Sequence, residues 1–186
     1  MKILCFGDSN TYGYDPRSYF GSQYPAEHRW VDILAEKLCC DTINAGENGR
    51  EIPAWESVLC NFDRMLASQA PLDLLLVMLG INDLLQGNSV EAVAQRMENF
   101  LARISLEKEK IVLIAPPCVK TGTWVTDSQL LDDCLRLNAA YRAVADKLGV
   151  RFADTAAWEI DMTFDGVHYS EQGHRTFAEQ LALQLS

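Results

Sequence analysis

Ser9, Gly46, Asn82, Asp165 and His168 are the residues whose types and spacing could do chemistry. Ser9 follows the apolar run Ile3-Leu4-Cys5-Phe6 and the pair Gly7-Asp8. Gly46 closes the short run Thr42-Ile43-Asn44-Ala45, and Asn82 follows a long apolar run that ends in Gly80-Ile81. Asp165 and His168 belong to Asp165-Gly166-Val167-His168. A serine hydroxyl is a weak nucleophile until a base takes its proton, and His168 can be that base. The imidazole needs an acceptor that fixes its tautomer and stabilises its cation, and Asp165 can supply it. A turn through Gly166 lets that carboxylate fold back on the ring. The backbone N–H groups of Ser9 and Gly46 and the side-chain amide of Asn82 would meet a developing oxyanion. Losing one such donor typically costs about a hundred- to a thousand-fold in rate. An ionised aspartate at position 82 has no proton to donate and could not stand in. The chemistry these types would perform is acyl transfer. Taken alone, the Gly7-Asp8-Ser9-Asn10 block also reads as a strand running into a helix N-cap, because Asp, Ser and Asn all cap well.

These residues need elements that bring them to one edge. Ile3–Phe6 has no polar alternation and suits a strand buried on both faces. The spacing predicts helices over 30–38, 52–69, 89–104 and 128–148, the last ended by Gly149. Further strands are expected at 41–45, 72–79, 110–115 and 150–153. Ser170 should cap a final helix. Trp55, Val58, Leu59, Phe62 and Leu66 would face inward from the second helix. Strands that alternate with helices imply a parallel sheet covered on both faces. Right-handed crossovers leave few orders, and 2-1-3-4-5 places the first strand inside the sheet. In such sheets ligands bind beyond the carboxyl ends of the strands, where Ser9, Gly46, Asn82 and the 165–168 stretch would meet.

The remaining composition narrows the reading. At 186 residues the chain fits one domain, 1–186. A formal charge of −10 with no basic run argues against nucleic-acid or anionic-membrane partners. Six scattered cysteines form no zinc-type spacing, and Cys5 and Cys60 read as buried thiols. No apolar stretch is long enough to span a bilayer, and Lys2 leads straight into the first strand without a leader, so a reduced cytoplasmic setting is expected. Neither a GxGxxG nor a P-loop follows the first strand, which disfavours a nucleotide or flavin role. Two loops carry many rings: 11–29 with Tyr12, Tyr14, Tyr19, Phe20 and Tyr24, and 118–127 with Trp124. With Met162 and Phe164 they are expected to wall a small pocket, Tyr12, Trp124 and Phe164 touching substrate. His28 and His174 read as surface and structural residues, Asp8 as a turn cap, and Asp154 as a rival to Asp165 that lies farther along the chain from His168. Asn48 and Arg50 would shape the turn after Gly46 or bond its backbone.

The blocks Gly7-Asp8-Ser9, Gly46, Gly80-Ile81-Asn82-Asp83 and Asp165-Gly166-Val167-His168, in this order and across nearly the whole chain, resemble the SGNH hydrolases, also called the GDSL esterase/lipase superfamily. The resemblance implies a flavodoxin-like three-layer α/β/α sandwich. It implies Ser9 as nucleophile, His168 as base, Asp165 as its partner, and Gly46 and Asn82 completing the oxyanion hole. No metal or organic cofactor is implied. Ile81 stands where many members have Thr. Asn10-Thr11-Tyr12-Gly13 and Arg29-Trp30 look more like the bacterial arylesterase branch than like long-chain lipases, and relatives of that branch often assemble as homo-oligomers. The expected reaction is hydrolysis of short acyl esters of aryl alcohols or sugars. The alternatives are a thioesterase or lysophospholipase with the same triad, or a flavodoxin-like binding module that lacks the chemistry.

Overall fold

A computed structural model describes residues 1–18, 20 and 22–185. Five parallel strands, β1 (Lys2–Gly7), β2 (Asp41–Gly46), β3 (Leu74–Met78), β4 (Ile111–Ile114) and β5 (Arg151–Ala153), form one sheet in the order β2-β1-β3-β4-β5. The expected order and the α/β sandwich are both present. Around the sheet run α1 (Ser9–Tyr12), α2 (Trp30–Leu38), α3 (Glu56–Gln69), α4 (Ile81–Leu85), α5 (Val90–Arg103), α6 (Ser128–Leu148) and α7 (Glu171–Leu185).

The period of two in a strand sends alternate side chains to opposite faces, and both faces here are covered. Leu4, Phe6, Leu75, Val77 and Leu113 pack with Phe62 of α3, Phe100 of α5 and Tyr141 of α6. Ile3, Cys5, Leu76 and Ile114 pack with Trp30 and Leu34 of α2 and Phe177 and Leu181 of α7. Each fully buried Leu, Ile or Phe contributes about 1.5–3 kcal/mol, so burial on two faces holds the central strands firmly. Pairing sets Gly7 beside Gly46 on one side and Met78 on the other. The chain therefore leaves β1, β2 and β3 at one level, and this level positions the site.

The helix predicted over 52–69 begins only at Glu56, with Trp55 as its N-cap. Ile52 precedes Pro53, whose ring disfavours helical backbone at the residue before it. Trp55 and Val58 are exposed rather than inward, while Phe62 and Leu66 are buried. Cys60 is only half-buried, its Sγ 3.3 Å from Glu56 Oε1. Leu72 and Leu79 are buried but lie outside the ladder of β3. The boundaries of α2 and α6 agree with the expected ones, and Gly149 ends α6 in the left-handed conformation. The loop expected over 11–29 gives up its first two residues to the single turn α1. No described helix is long and apolar enough to cross a membrane.

Candidate active site

β1 delivers Gly7 to the sheet edge, and the chain turns at once into α1. Asp8 caps that helix by accepting the Asn10 N–H at 2.9 Å. The cap that the plainer reading of the first block expects is present, and the capping residue is Asp8, which leaves the Ser9 side chain free of that role. The first N–H groups of a helix have no intrahelical acceptor. The Ser9 N–H, with no partner among the described residues, lies beside its own hydroxyl. Burial pushes the Asp8 carboxyl up to about 6, against the pull of the Asn10 N–H and the charges of His168 and Arg50.

The 163–169 loop brings up the other half. Ser9 Oγ lies 3.0 Å from His168 Nε2, and His168 Nδ1 lies 2.7 Å from Asp165 Oδ2. In the tautomer a base requires, Nδ1–H donates to the carboxylate and Nε2 accepts from the serine hydroxyl. Asp165 Oδ1 accepts from the Val167 and His168 amides, each at 2.9 Å, and from the Thr163 hydroxyl at 3.0 Å. Burial alone would raise this carboxyl, but the His168 ring and the two amides bring it down to about 2. Gly166 makes the turn, with φ of +82° and the Lys120 carbonyl so close that a Cβ would sit 2.1 Å from it. Asp154 is engaged elsewhere, by Asn138, Arg142 and the Ala156 amide.

The donor side is built by the 47–50 turn and α4. Asn82 Nδ2 donates to the Arg50 carbonyl at 3.0 Å, which leaves its second N–H available. Its neighbour Asp83, fully buried, accepts the Ile52 N–H at 3.1 Å and an Arg96 N–H at 2.5 Å, fixing the chain beyond the turn. Arg50 bonds backbone: its Nη1 donates to the Gly7 carbonyl at 2.8 Å and to the Ala45 carbonyl. Its guanidinium carbon lies 4.3 Å from the centre of the Phe6 ring.

Gly46 is not placed as expected. Its N–H donates to Asn44 Oδ1 at 2.9 Å, and a Cβ there would sit 2.0 Å from the Tyr12 nitrogen. Gly46 lets α1 lie against β2. Gly49, three residues on, borders the pocket, with φ of +73° and no described acceptor for its N–H. The strand runs on through Gly46 and only then turns, so the glycine that borders the cleft comes from the turn. The second glycine of Gly46-Glu47-Asn48-Gly49 was the signal in the sequence.

A cavity of about 280 Å³ opens above Ser9, lined by Tyr14, Asn48, Gly49, Asn82, Trp124 and His168. Tyr14 replaces the expected Tyr12: the turn of α1 puts Tyr14 against the imidazole, ring centres 4.8 Å apart, while Tyr12 is not among the described lining residues. Trp124 stands on the other flank, its ring centre 5.3 Å from that of His168 and its backbone N–H donating to the Asp165 carbonyl at 3.1 Å. Phe164 is 61% exposed beside this loop, its carbonyl accepting the Thr123 N–H, and it is not among the described lining residues. Met162 instead packs on the α2/α7 side of the core. Tyr24 is buried core, and Tyr19 lies outside the described residues. His28 faces Glu171 at 3.7 Å. His174 is wholly buried, and burial pulls its imidazole down to about 3.

The model of the GDSL-like lipase/acylhydrolase family matches residues 5–176. No curated protein matches the chain. Among solved structures, the fold is similar to that of a proposed arylesterase from Agrobacterium tumefaciens str. C58 (TM-score 0.84, 28% identity, covering 99% of this chain and 97% of that one). It is also similar to the aryl esterase of M. smegmatis (0.83, 25%, 99% and 97%). A carbohydrate acetylesterase family member from Sinorhizobium meliloti gives 0.82, 25%, 99% and 96%. With the family model spanning most of its length and these esterases sharing its fold, the chain belongs to the GDSL-like lipase/acylhydrolase family and is a carboxylic ester hydrolase.

Proposed function

We propose that the protein is a serine esterase that hydrolyses short acyl esters, acetyl above all, of aryl alcohols or carbohydrates through an acyl-enzyme. The observation that carries this reading is the unbroken relay Ser9 Oγ–His168 Nε2, His168 Nδ1–Asp165 Oδ2 at the floor of a small ring-lined cavity.

In the first step Ser9 Oγ attacks the ester carbonyl carbon while His168 takes its proton. The imidazolium gains its stability from the Asp165 carboxylate, which stays ionised. The carbonyl oxygen becomes an oxyanion that meets the N–H groups of Ser9 and Gly49 and the second N–H of Asn82. Gly49 takes here the part first expected of Gly46. Collapse of the intermediate breaks the bond to the alcohol, which leaves with the His168 proton. Water, deprotonated by His168, then attacks the acyl-serine, and the same donors hold the second oxyanion. Collapse of this intermediate breaks the bond between the acyl carbon and Ser9 Oγ, the His168 proton returns to Oγ, and the acid leaves.

The volume argues for small acyl groups. A cavity of about 280 Å³ lies just under the roughly 300–1,000 Å³ typical of sites that enclose drug-sized ligands. Trp124 also borders a second cleft of about 450 Å³, with Leu84, Asn88, Thr126 and Gln129, which offers room for the rest of a substrate. The similarity to an aryl esterase and a carbohydrate acetylesterase supports both leaving-group classes. The test is a p-nitrophenyl ester series from acetate to palmitate, with acetylated sugars beside it. The expected kcat/KM is highest at two to four acyl carbons, an order-of-magnitude choice set by pocket size. A rise toward long chains would favour the thioesterase or lysophospholipase reading and end this one.

A further inference from the structure

Asn10 follows the serine in the sequence, yet its side chain is not spent on capping α1: the cap interaction uses its backbone N–H. The side chain, 6% exposed, reaches across to the loop that carries the base. Its Nδ2 donates to the Val167 carbonyl at 3.0 Å, and its Oδ1 accepts the Tyr169 N–H at 2.9 Å. One amide group thus grips the backbone on both sides of His168, as a neighbouring strand would. Its own carbonyl accepts the Trp30 indole N–H at 2.9 Å, which ties residue 10 to the start of α2.

We propose that Asn10 is a positioning residue for the reaction, holding the His168 backbone against α1 and so setting the contact between Ser9 Oγ and His168 Nε2. The proposal rests on the triad reading above. Ser9 is the first residue of α1, and His168 sits on a loop 159 residues away in sequence. Among the described residues, the Asn10 side chain is the direct hydrogen-bonded link between α1 and the backbone flanking the base. Other bonds to that loop serve different parts of it. The Asp165 carboxylate holds the imidazole and the Val167 and His168 amides from inside the loop. The amides of Lys120 and Trp124 hold its outer turn at Gly166 and Asp165. Without Asn10 the loop keeps its shape but loses its registration on the serine. Proton transfer from the hydroxyl needs a heavy-atom separation near 3 Å, and a misplacement of about 1 Å can cost about a hundred-fold.

Two variants test this. Asn10→Leu keeps a similar volume and removes both hydrogen bonds. Asn10→Asp keeps the acceptor for Tyr169 and loses the donor for Val167. Each is assayed with p-nitrophenyl acetate for kcat and KM separately, beside its thermal midpoint and the rate at which a fluorophosphonate labels Ser9. The expected result is a fall in kcat and labelling rate of about 10- to 100-fold in the Leu variant and a smaller fall in the Asp variant, with KM within about two-fold. A residue with a merely structural role would lower the thermal midpoint while the folded fraction kept its kcat. That outcome, or equal kcat in Asn10→Leu and the parent, overturns the proposal. If the Leu variant does not fold, the Asp variant decides alone: kcat and labelling at parental levels overturn the proposal, and a fall in both at constant KM supports it. Ser9→Ala, run beside them, separates the two levels. If it keeps turnover the triad reading itself fails, whereas an inactive Ser9→Ala with a fully active Asn10→Leu removes only the role of Asn10.

Discussion

Asp165 and His168 are 1% and 4% exposed, and their loop is fastened by its own carboxylate, by Asn10 and by the 120–124 backbone. Trp124, which lines the cavity, is 58% exposed, and its backbone rather than its ring is fixed by a hydrogen bond. On the proposed reaction, the difference follows from what each region must do. A base has to sit at hydrogen-bond distance from one atom in one tautomer, so its surroundings over-determine it. A substrate wall only has to present apolar rings, and it can tolerate solvent and motion.

The contrast predicts a ladder of effects. Asp165→Asn should be the most damaging change to the buried side. The amide cannot accept from Nδ1–H while holding the Val167 and His168 amides as a carboxylate does, and kcat should fall by roughly 10³- to 10⁴-fold. A fall under ten-fold would detach Asp165 from the relay.

The two glycines of the 46–50 turn sharpen the comparison within the donor side. Gly49→Ala forces an L-residue to a φ of +73° and should shift the amide, lowering kcat by about ten-fold at a stability cost of about 1–2 kcal/mol. Gly46→Ala pushes a Cβ into the α1 backbone, so it should cost more stability than Gly49→Ala. Urea unfolding and kcat measured on both variants would expose a wrong assignment if the two losses were exchanged.

On the exposed side, Trp124→Ala should change KM and the ratio of aryl to sugar acetate turnover by a few-fold, with kcat for p-nitrophenyl acetate nearly unchanged. A collapse of kcat would mean that the tryptophan supports the imidazole rather than the substrate.

His174 should leave activity alone and act on stability. Its folded-state imidazole is pulled from 6.5 to about 3, so the unfolded chain takes up a proton that the folded chain refuses. Stability on its account is complete above pH 6.5 and is lost as pH falls toward 3. Asp8 has the opposite sign: raised from 3.8 to about 6, it favours the folded chain at low pH and withdraws that support as pH rises through this window. The two nearly cancel between about pH 4 and 6, so His174→Phe should leave Asp8 uncompensated and make unfolding free energy fall as pH rises through that window. An unchanged slope would show that another group governs it.

This division also explains what the sequence revealed. Ser9, Asn82, Asp165 and His168 were legible because acyl transfer demands those types, and because unbroken apolar runs mark where buried strands end. The order β2-β1-β3-β4-β5 was legible because only a central strand needs the Ile3–Phe6 pattern. The choice of Gly49 over Gly46 depended on where a turn begins, and that of Tyr14 over Tyr12 on a single turn of α1. Both are settled by backbone geometry over a few ångströms, which side-chain type does not encode. Asn10 went unread because its partners are the backbone groups of Val167 and Tyr169, to which any residue types would contribute.

On the proposed mechanism Ser9 is the nucleophile, activated by the His168–Asp165 pair. Fluorophosphonate labelling of the intact protein, followed by peptide mapping, tests it most directly. One adduct per chain on the peptide carrying Ser9, absent in Ser9→Ala and slowed at least about a hundred-fold in His168→Ala, is the predicted result. Labelling at another residue, or labelling of Ser9 at the parental rate without the imidazole, would contradict it.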